Sequence, residues 1–267
     1  MTRFERLTLT LLWAVAGLAF VAMYGPALLV VTLSFFRIDR QRVDWSSFSF
    51  DAYAGLAGNH DIVAALTNTL IVGFSAVTCA LLIAVGLAFY MHVESRRGQR
   101  FVEFMIFLPF ILPAIITGVS LLIAFREAGI ERGLLTVIVG HIVIIIAIIY
   151  RMVMTRLESL ERSQLEASLD LGATKMQTFR YVVVPQLASA MVTSALLAFT
   201  LSFDETLVTF FLVGGEMTLP IRLWAMVRVG FTPEINALVA VVLLMTTCLA
   251  TVGALSLKRL VRIPVHG

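Results

Sequence analysis

The stretch Glu166-Ala167-Ser168-Leu169-Asp170-Leu171-Gly172, followed by Val182-Val183-Val184-Pro185, is a polar hairpin set between hydrophobic runs of membrane length. Just upstream, Ser163-Gln164-Leu165-Glu166 has the spacing of a capping box. The Ser163 hydroxyl can accept from the Glu166 N–H while the Glu166 carboxylate accepts from the Ser163 N–H, so a short helix is expected to start at Ser163. Gly172 is free to take a positive φ and end that helix, and Thr174-Lys175-Met176-Gln177 repeats the capping pattern to start a second. Leu165 with Leu169, and Met176 with Phe179, fall at i, i+4 and i, i+3, so each helix carries an apolar stripe. Two short amphipathic helices meeting at a glycine elbow need a surface to bury against. That surface is either a partner or the chain's own membrane helices, and in the second case Glu166 is a cap and nothing more.

Working outward, the composition sets the solvent. Of 267 residues, 60% are hydrophobic and only 14% charged, against about a quarter charged in ordinary soluble domains, which excludes that class. A bilayer core of about 30 Å needs about 20 apolar residues at helical rise. Six charge-free runs approach or exceed that length: 7–36, 62–91, 104–125, 133–150, 181–203 and 235–257. The fourth is short and can borrow Arg151 by letting its long side chain snorkel to the interface. The expected fold is all-α: a single polytopic membrane domain over 1–267 with six transmembrane helices, a core over about 62–257 and a cytoplasmic loop over about 157–185.

Orientation follows from lysine and arginine. With the N-terminus inside, 13 of the 20 basic residues fall on inner segments, so both termini and the elbow are expected in the cytoplasm. The apolar run behind Arg3 and Arg6 imitates a signal peptide, with Ala14-Val15-Ala16 as a conceivable cleavage site, but it continues well past that site and is read as an uncleaved anchor. The net charge of +3 comes from residues spread over loop ends rather than gathered on one face, so no nucleic-acid partner is expected. Cys79 and Cys248 lie on different spans without disulfide or metal-ligand spacing and are read as buried thiols in small core positions.

Several positions within the runs carry chemistry. In the loop after the first span, Trp45, Phe48, Phe50 and Tyr53 are interleaved with charges; they either contact a soluble delivery protein or sit at the headgroup level. Thr67, Asn68 and Thr69 open the second span with polar groups that need partners in lipid, and Gly73, Ala76, Ala80 and Ala84 permit close helix approach. Pro109 and Pro113 sit inside the third span and are expected to kink it. His141 stands alone in the fourth and reads as a hydrogen-bonded structural histidine.

Asp204 and Glu205 are adjacent carboxylates in an apolar stretch that otherwise continues to Val213, flanked by Ser202, Thr206 and Thr209. An ionised group at the bilayer centre costs about 2.5–3.5 kcal/mol on insertion scales, so such residues face a watery cavity unless they lie at the interface. Both placements stay open. On a continuous helix consecutive residues point about 100° apart, so at most one of the two aims into a central path. Phe199 and Phe203, at i, i+4, supply an aromatic edge suited to a cation. Gly214-Gly215 then breaks the helix, and Thr218-Leu219-Pro220 begins an outer amphipathic one.

The Glu-Ala-Ser pattern, the glycine four residues after Ser168 and the later apolar-x-apolar-Pro resemble the cytoplasmic coupling loop of ATP-binding-cassette (ABC) importer permeases, with Ser168 in place of the family's second alanine. From Phe199 to Ala237, Ser-Phe-Asp-Glu, Thr-Leu-Pro and Pro-Glu-Ile-Asn-Ala follow in an order similar to the second permease subunit of spermidine and putrescine importers. The resemblance implies a type I ABC importer permease fold in the bacterial inner membrane. It also implies a second homologous permease, a periplasmic substrate-binding protein and two ATPase subunits that carry the ATP and Mg. Carried over by position, Glu166, Ala167, Ser168, Asp170, Leu171, Gly172 and Pro185 engage the ATPase, and Asp204 or Glu205, with Phe199 and Phe203, faces the path. Permeases for iron, thiamine or phosphonates share parts of the pattern. No Gly-x-x-x-x-Gly-Lys-Ser/Thr run is present, so this chain is not expected to hydrolyse ATP, be an enzyme or bind a cofactor. An ion-driven secondary transporter is the rival reading, and no convincing internal repeat supports it.

Overall fold

The computed structural model describes residues 3–39, 42–93, 98–230 and 233–261. Arg40, Arg96, Arg97, Arg262 and His266 lie outside them. In order come α1 (Arg3–Leu33), a hairpin of β1 (Arg37–Asp39) and β2 (Arg42–Asp44), α2 (Asp51–Gly58), α3 (His60–Val93), α4 (Gln99–Ile111), α5 (Ala114–Glu127) and α6 (Leu134–Glu158). They are followed by α7 (Arg162–Asp170), α8 (Lys175–Thr178), a π-helical turn (Phe179–Val183), α9 (Val184–Asp204), α10 (Leu207–Leu212), α11 (Leu219–Val229) and α12 (Pro233–Val261). The chain divides into two compact units, residues 1–63 with 225–245, and residues 64–224 with 246–267.

In the first unit, the β1–β2 hairpin pairs Arg37 with Asp44, Ile38 with Val43 and Asp39 with Arg42, the first pair setting opposite charges across the ladder. The Arg37 guanidinium donates to Asp51 at 2.7 Å and, by that hydrogen bond, holds the Asp51 carboxyl below its ordinary range. Phe35 is the centre of an aromatic cluster with Phe48, Phe50 and Tyr53 at 5.3–5.6 Å, while Phe36 meets Trp45 at 5.1 Å. Trp45, Phe48 and Phe50 keep more than half their surface exposed.

In the second unit, four facts set the packing. The buried stripe Ala76, Ala80, Ala84, Ala88 gives α3 a smooth face at i, i+4 spacing. Along α3, Phe74 and Phe89 pack in tilted ring pairs against Phe199 of α9 and Phe179 of the π-helical turn at 4.8 and 4.6 Å. Val72, Val137, Val208 and Leu212 form a fully buried cluster surrounded by Leu121, Phe125, Leu134 and Ile138. In lipid this packing is stabilised mainly by van der Waals contact rather than by release of water. Small residues are therefore what let α10 settle: a Cβ on Gly140 would stand 2.5 Å from Leu212 Cδ1, and one on Gly118 would stand 3.2 Å from the Val208 backbone.

The polar opening of α3 finds its partners in the segment before α11. Asn68 Nδ2 donates to the Met217 carbonyl at 3.0 Å, and Thr69 Oγ1 accepts from Leu219 N–H at 2.7 Å while donating to Ala65 O. Likewise Thr136 Oγ1 and Gly133 N–H both bond the Leu212 carbonyl, closing the C-terminal end of α10 onto the start of α6.

Each expected span falls on helix, with differences. Thr8–Leu33, His60–His92, Leu134–Glu158 and Lys175–Asp204 are long and apolar enough to cross a membrane. The fourth expected span is not short, because α6 runs 25 residues. The third is not one kinked helix but two, α4 and α5, bent by 108°. Pro113 has no N–H and its ring pushes Leu112 to extended backbone (φ −69°, ψ 146°), so the helix ends there; Pro109 stays inside α4. Among the described residues, counting that pair as one gives five, and α12, 29 residues long, contributes a further apolar segment at Pro233–Cys248. Cys79 and Cys248 are exposed on the chain surface, not buried: each lies on the outward side of its helix.

Two adjacent glycines give a matched test of this packing. A Cβ at Gly214 would lie 2.5 Å from the Arg132 backbone oxygen, which cannot swing away, whereas one at Gly215 meets nothing within 4 Å. Gly214→Ala is expected to destabilise the chain by about 1–3 kcal/mol, the ordinary cost of overpacking, and Gly215→Ala to be near neutral. Thermal unfolding of the two purified variants in detergent checks this.

Candidate functional site: a glycine elbow and a broken carboxylate helix

The elbow is built largely as its sequence reads. α7 ends at Asp170 with Leu171 as its C-cap, Gly172 takes φ 84°, Gly172 N–H donates to Leu169 O at 2.9 Å and Ala173 N–H to Ser168 O at 3.2 Å. This pair of bonds is a Schellman motif, which satisfies the last carbonyls of α7 and requires a residue at ease in left-handed backbone. Thr174 then caps α8: its hydroxyl accepts from Gln177 N–H at 3.3 Å and Gln177 Oε1 accepts from Thr174 N–H at 2.7 Å. The expected box at Ser163 is absent. α7 starts one residue earlier, at Arg162, and the Ser163 hydroxyl turns to Glu161 Oε2, so Glu166 is not a cap.

Two further contacts join the arms of the elbow and its base. Ser168 Oγ and Thr178 Oγ1 are 3.0 Å apart, a bond across the elbow that alanine at 168 would lack. Gln186 Nε2 donates to Gln164 Oε1 at 2.9 Å and Arg156 Nε to Gln186 O at 3.2 Å, tying α7 to the foot of α9 and the end of α6. Pro185 has no N–H for the carbonyl of Tyr181, and the preceding turn widens to π geometry, Val184 N–H reaching Phe179 O, so that α8 runs into α9 without a break.

The apolar stripes divide. Leu165 and Phe179 are half-buried, and an open cavity of about 220 Å³ is lined by Phe89, His92, Leu165, Glu166, Leu169, Lys175 and Thr178. The outer side leaves Leu171 89% exposed, Met176 71% exposed and Leu169 exposed as well. Glu166, Ala167 and Asp170 are exposed beside them.

The carboxylate pair sits at a helix break. α9 stops at Asp204, Glu205 is extended (φ −70°, ψ 110°) and α10 restarts after Thr206. The continuous helix expected through this stretch is therefore interrupted, and the two carboxylates differ in role rather than by a 100° turn. Glu205 Oε1 accepts from Val208 N–H at 2.9 Å, capping the orphan donors of α10, while Asp204 is exposed. Phe199 and Phe203 are only 8% and 6% exposed, Phe199 tilted against Phe74 and close to Gly73, so the rings face the interior of the chain. Phe210 is the exposed ring at the break, edge-on to Trp224 at 5.6 Å.

His141 meets this break from α6. Its Nδ1 lies 2.7 Å from Ser202 Oγ and its Nε2 2.8 Å from Thr209 Oγ1, all three side chains buried. A hydrogen-bonded histidine was legible in the sequence, and Ser202 and Thr209 flank the carboxylates there, but nothing local joins them to position 141.

A family profile described as binding-protein-dependent transport system inner membrane component matches residues 76–263. The chain is 34% identical to the putrescine transport system permease protein PotI of Escherichia coli, over 85% of this chain and 83% of that protein. It is 30% identical to the spermidine/putrescine transport system permease protein PotC of Haemophilus influenzae, over 89% and 92%. Among solved structures, a chain of a bacterial ABC transporter that imports the acidic polysaccharide alginate superposes with a TM-score of 0.72 at 17% identity, covering 97% of this chain and 98% of that one. A chain of the inward-facing MetNI methionine ABC transporter gives 0.64 at 20%, covering 80% and 99%. With the permease fold, the elbow and these relatives in agreement, the chain belongs to the family of binding-protein-dependent transport system inner membrane components: it is an ABC importer permease subunit.

Proposed function

We propose that this chain forms half of the translocation path of an ATP-driven importer for a polyamine such as spermidine or putrescine, or a related small cation, with both termini and the elbow in the cytoplasm. A second homologous permease supplies the other half, a periplasmic binding protein delivers the substrate, and two ATPase subunits, which hold ATP and Mg, dock on the elbow. Closure of the ATPases moves α7 and α8, and through the unbroken α8–α9 rod the spans, opening the path first outward and then inward.

The observation that carries this reading is the exposed apolar tip at Leu169, Leu171 and Met176 on an elbow whose two arms are internally bonded. A Leu or Met side chain left in water rather than buried costs about 1.5–3 kcal/mol, and a rigid apolar tip outside the membrane supplies a docking face. The substrate class rests on the relatives and on the exposed Asp204 carboxylate and exposed Phe210 ring, groups of the kind that replace water around an amine. The neighbouring folds import alginate and methionine, so the architecture by itself carries no substrate preference.

In the assembled complex, a single cysteine introduced as Leu171→Cys or Met176→Cys is expected to cross-link to the ATPase, and one introduced as Trp45→Cys is not. Purification from gently solubilised membranes should bring along an ATPase, a second permease and a binding protein. A lone oligomer free of ATPase would overturn the reading.

A further inference from the structure

The interruption at Asp204–Glu205 has neither proline nor glycine to cause it. Sharp breaks otherwise arise where side chains take over the hydrogen bonds of the helix ladder, and such bonds are present here, Thr206 Oγ1 donating to the Asp204 carbonyl at 3.2 Å among them. Glu205 Oε1 holds Val208 N–H, and Thr209 Oγ1 donates to the Glu205 carbonyl at 2.8 Å. Because that donation uses the only proton of the Thr209 hydroxyl, its oxygen accepts from His141, which fixes the proton on Nε2. Nδ1 is then an acceptor, and the Ser202 hydroxyl donates to it. One neutral imidazole on α6 thus grips the last turn of α9 and the first turn of α10, one ring nitrogen on each side of the gap. Cutting either bond leaves a buried polar group unsatisfied, and in a dry interior that penalty makes the whole network hold or fail together.

We propose that His141 is the positioning residue of the path: by bridging Ser202 and Thr209 it holds α9 and α10 apart, and so presents the Asp204 carboxylate at the open break instead of within a continuous apolar helix. This rests on the reading of Asp204 as a path residue. Substrate preference for cations then depends on a histidine that never touches the substrate.

The test measures the accessibility of position 204 directly. Asp204→Cys is placed in a chain carrying Cys79→Ala and Cys248→Ala, assembled with its importer in proteoliposomes and labelled with a membrane-impermeant cationic methanethiosulfonate. Adding His141→Ala is expected to slow labelling about tenfold, the equilibrium factor for losing one hydrogen bond at the upper end of the usual range. His141→Gln, whose amide can donate to one hydroxyl and accept from the other, should restore it. Thr209→Val, which keeps the shape and removes one anchor, provides the same measurement at reduced size if the alanine variant does not assemble. A second readout is the KM for 1,4-diaminobutane, which should rise in His141→Ala and return in His141→Gln at unchanged basal ATP hydrolysis. Unchanged labelling in both His141→Ala and Thr209→Val overturns the proposal. Slowed labelling combined with wild-type uptake by Asp204→Asn supports the histidine bridge and overturns the cation path instead.

Discussion

Gly172→Pro is expected to abolish ATP-driven uptake while the chain still inserts in the membrane. Gly172 holds φ at 84°, and proline is locked near −65°, so the substituted elbow cannot keep its path. The variant also loses the Gly172 N–H bond to Leu169 O, one of the two bonds that close α7. Nothing lies within 4 Å of a Cβ at 172, so the effect is conformational and not steric. That separation permits a graded series. Asparagine tolerates left-handed backbone and should cost little, alanine about 1–2 kcal/mol of local stability, and proline the elbow itself. Uptake in proteoliposomes should fall in that order, with the ATPase still hydrolysing ATP but no longer driving transport. Because the bilayer helices on either side are untouched, expression and insertion should match the parent. Normal ATP-driven uptake by the proline variant would remove the elbow from the coupling path.

Asp204→Asn carries the other large expected effect, a loss of roughly ten- to a hundredfold in uptake of a cationic substrate with assembly and stability unchanged. A hydrogen bond to a charged group is worth about 1.5–3 kcal/mol, and Asp204 is exposed, so its charge is free for a ligand rather than used within the chain. Glu205 should behave differently. Its oxygen caps Val208 N–H, a task that glutamine can share, so Glu205→Gln is expected to lose less transport than Asp204→Asn. Glu205→Ala should instead destabilise the chain by about 0.5–2 kcal/mol through loss of the cap. Kinetics of labelled diamine uptake, run beside thermal unfolding of the same variants, separates these outcomes. Wild-type rates for both Asp204→Asn and Glu205→Gln would place the pair at the outer interface, solvated and without a role in passage.

These two predictions fall on features that the sequence revealed to different degrees. The elbow was readable because its determinants are local: a glycine where left-handed backbone is needed, a Thr-x-x-Gln start and apolar residues at helical spacing. The local misreading of a cap at Ser163 arose because α7 starts at Arg162 with Glu161 at the N-cap position, which places Ser163 inside the first turn, where its hydroxyl donates to Glu161 Oε2. The break between α4 and α5 was half visible. Pro109 and Pro113 announced a distortion, but the 108° turn follows from where α5 packs, along α10 with Gly118 against the Val208 backbone.

The sequence by itself determined the lipid environment, the predominantly helical class, the elbow at Gly172, the break at Gly214-Gly215 and the helix after Thr218, because each follows from charge-free length or from chemistry within four residues. The tertiary structure alone decided that the aromatic pair Phe199 and Phe203 turns inward, that the cysteines turn outward, and that the helix carrying Asp204 and Glu205 breaks between them. That last break depends on His141 reaching Ser202 and Thr209, 61 and 68 residues along the chain. The physical reason is the scarcity of water in the membrane interior: a backbone interrupted there persists only where side chains take up its donors and acceptors, and which distant side chain arrives is decided by packing.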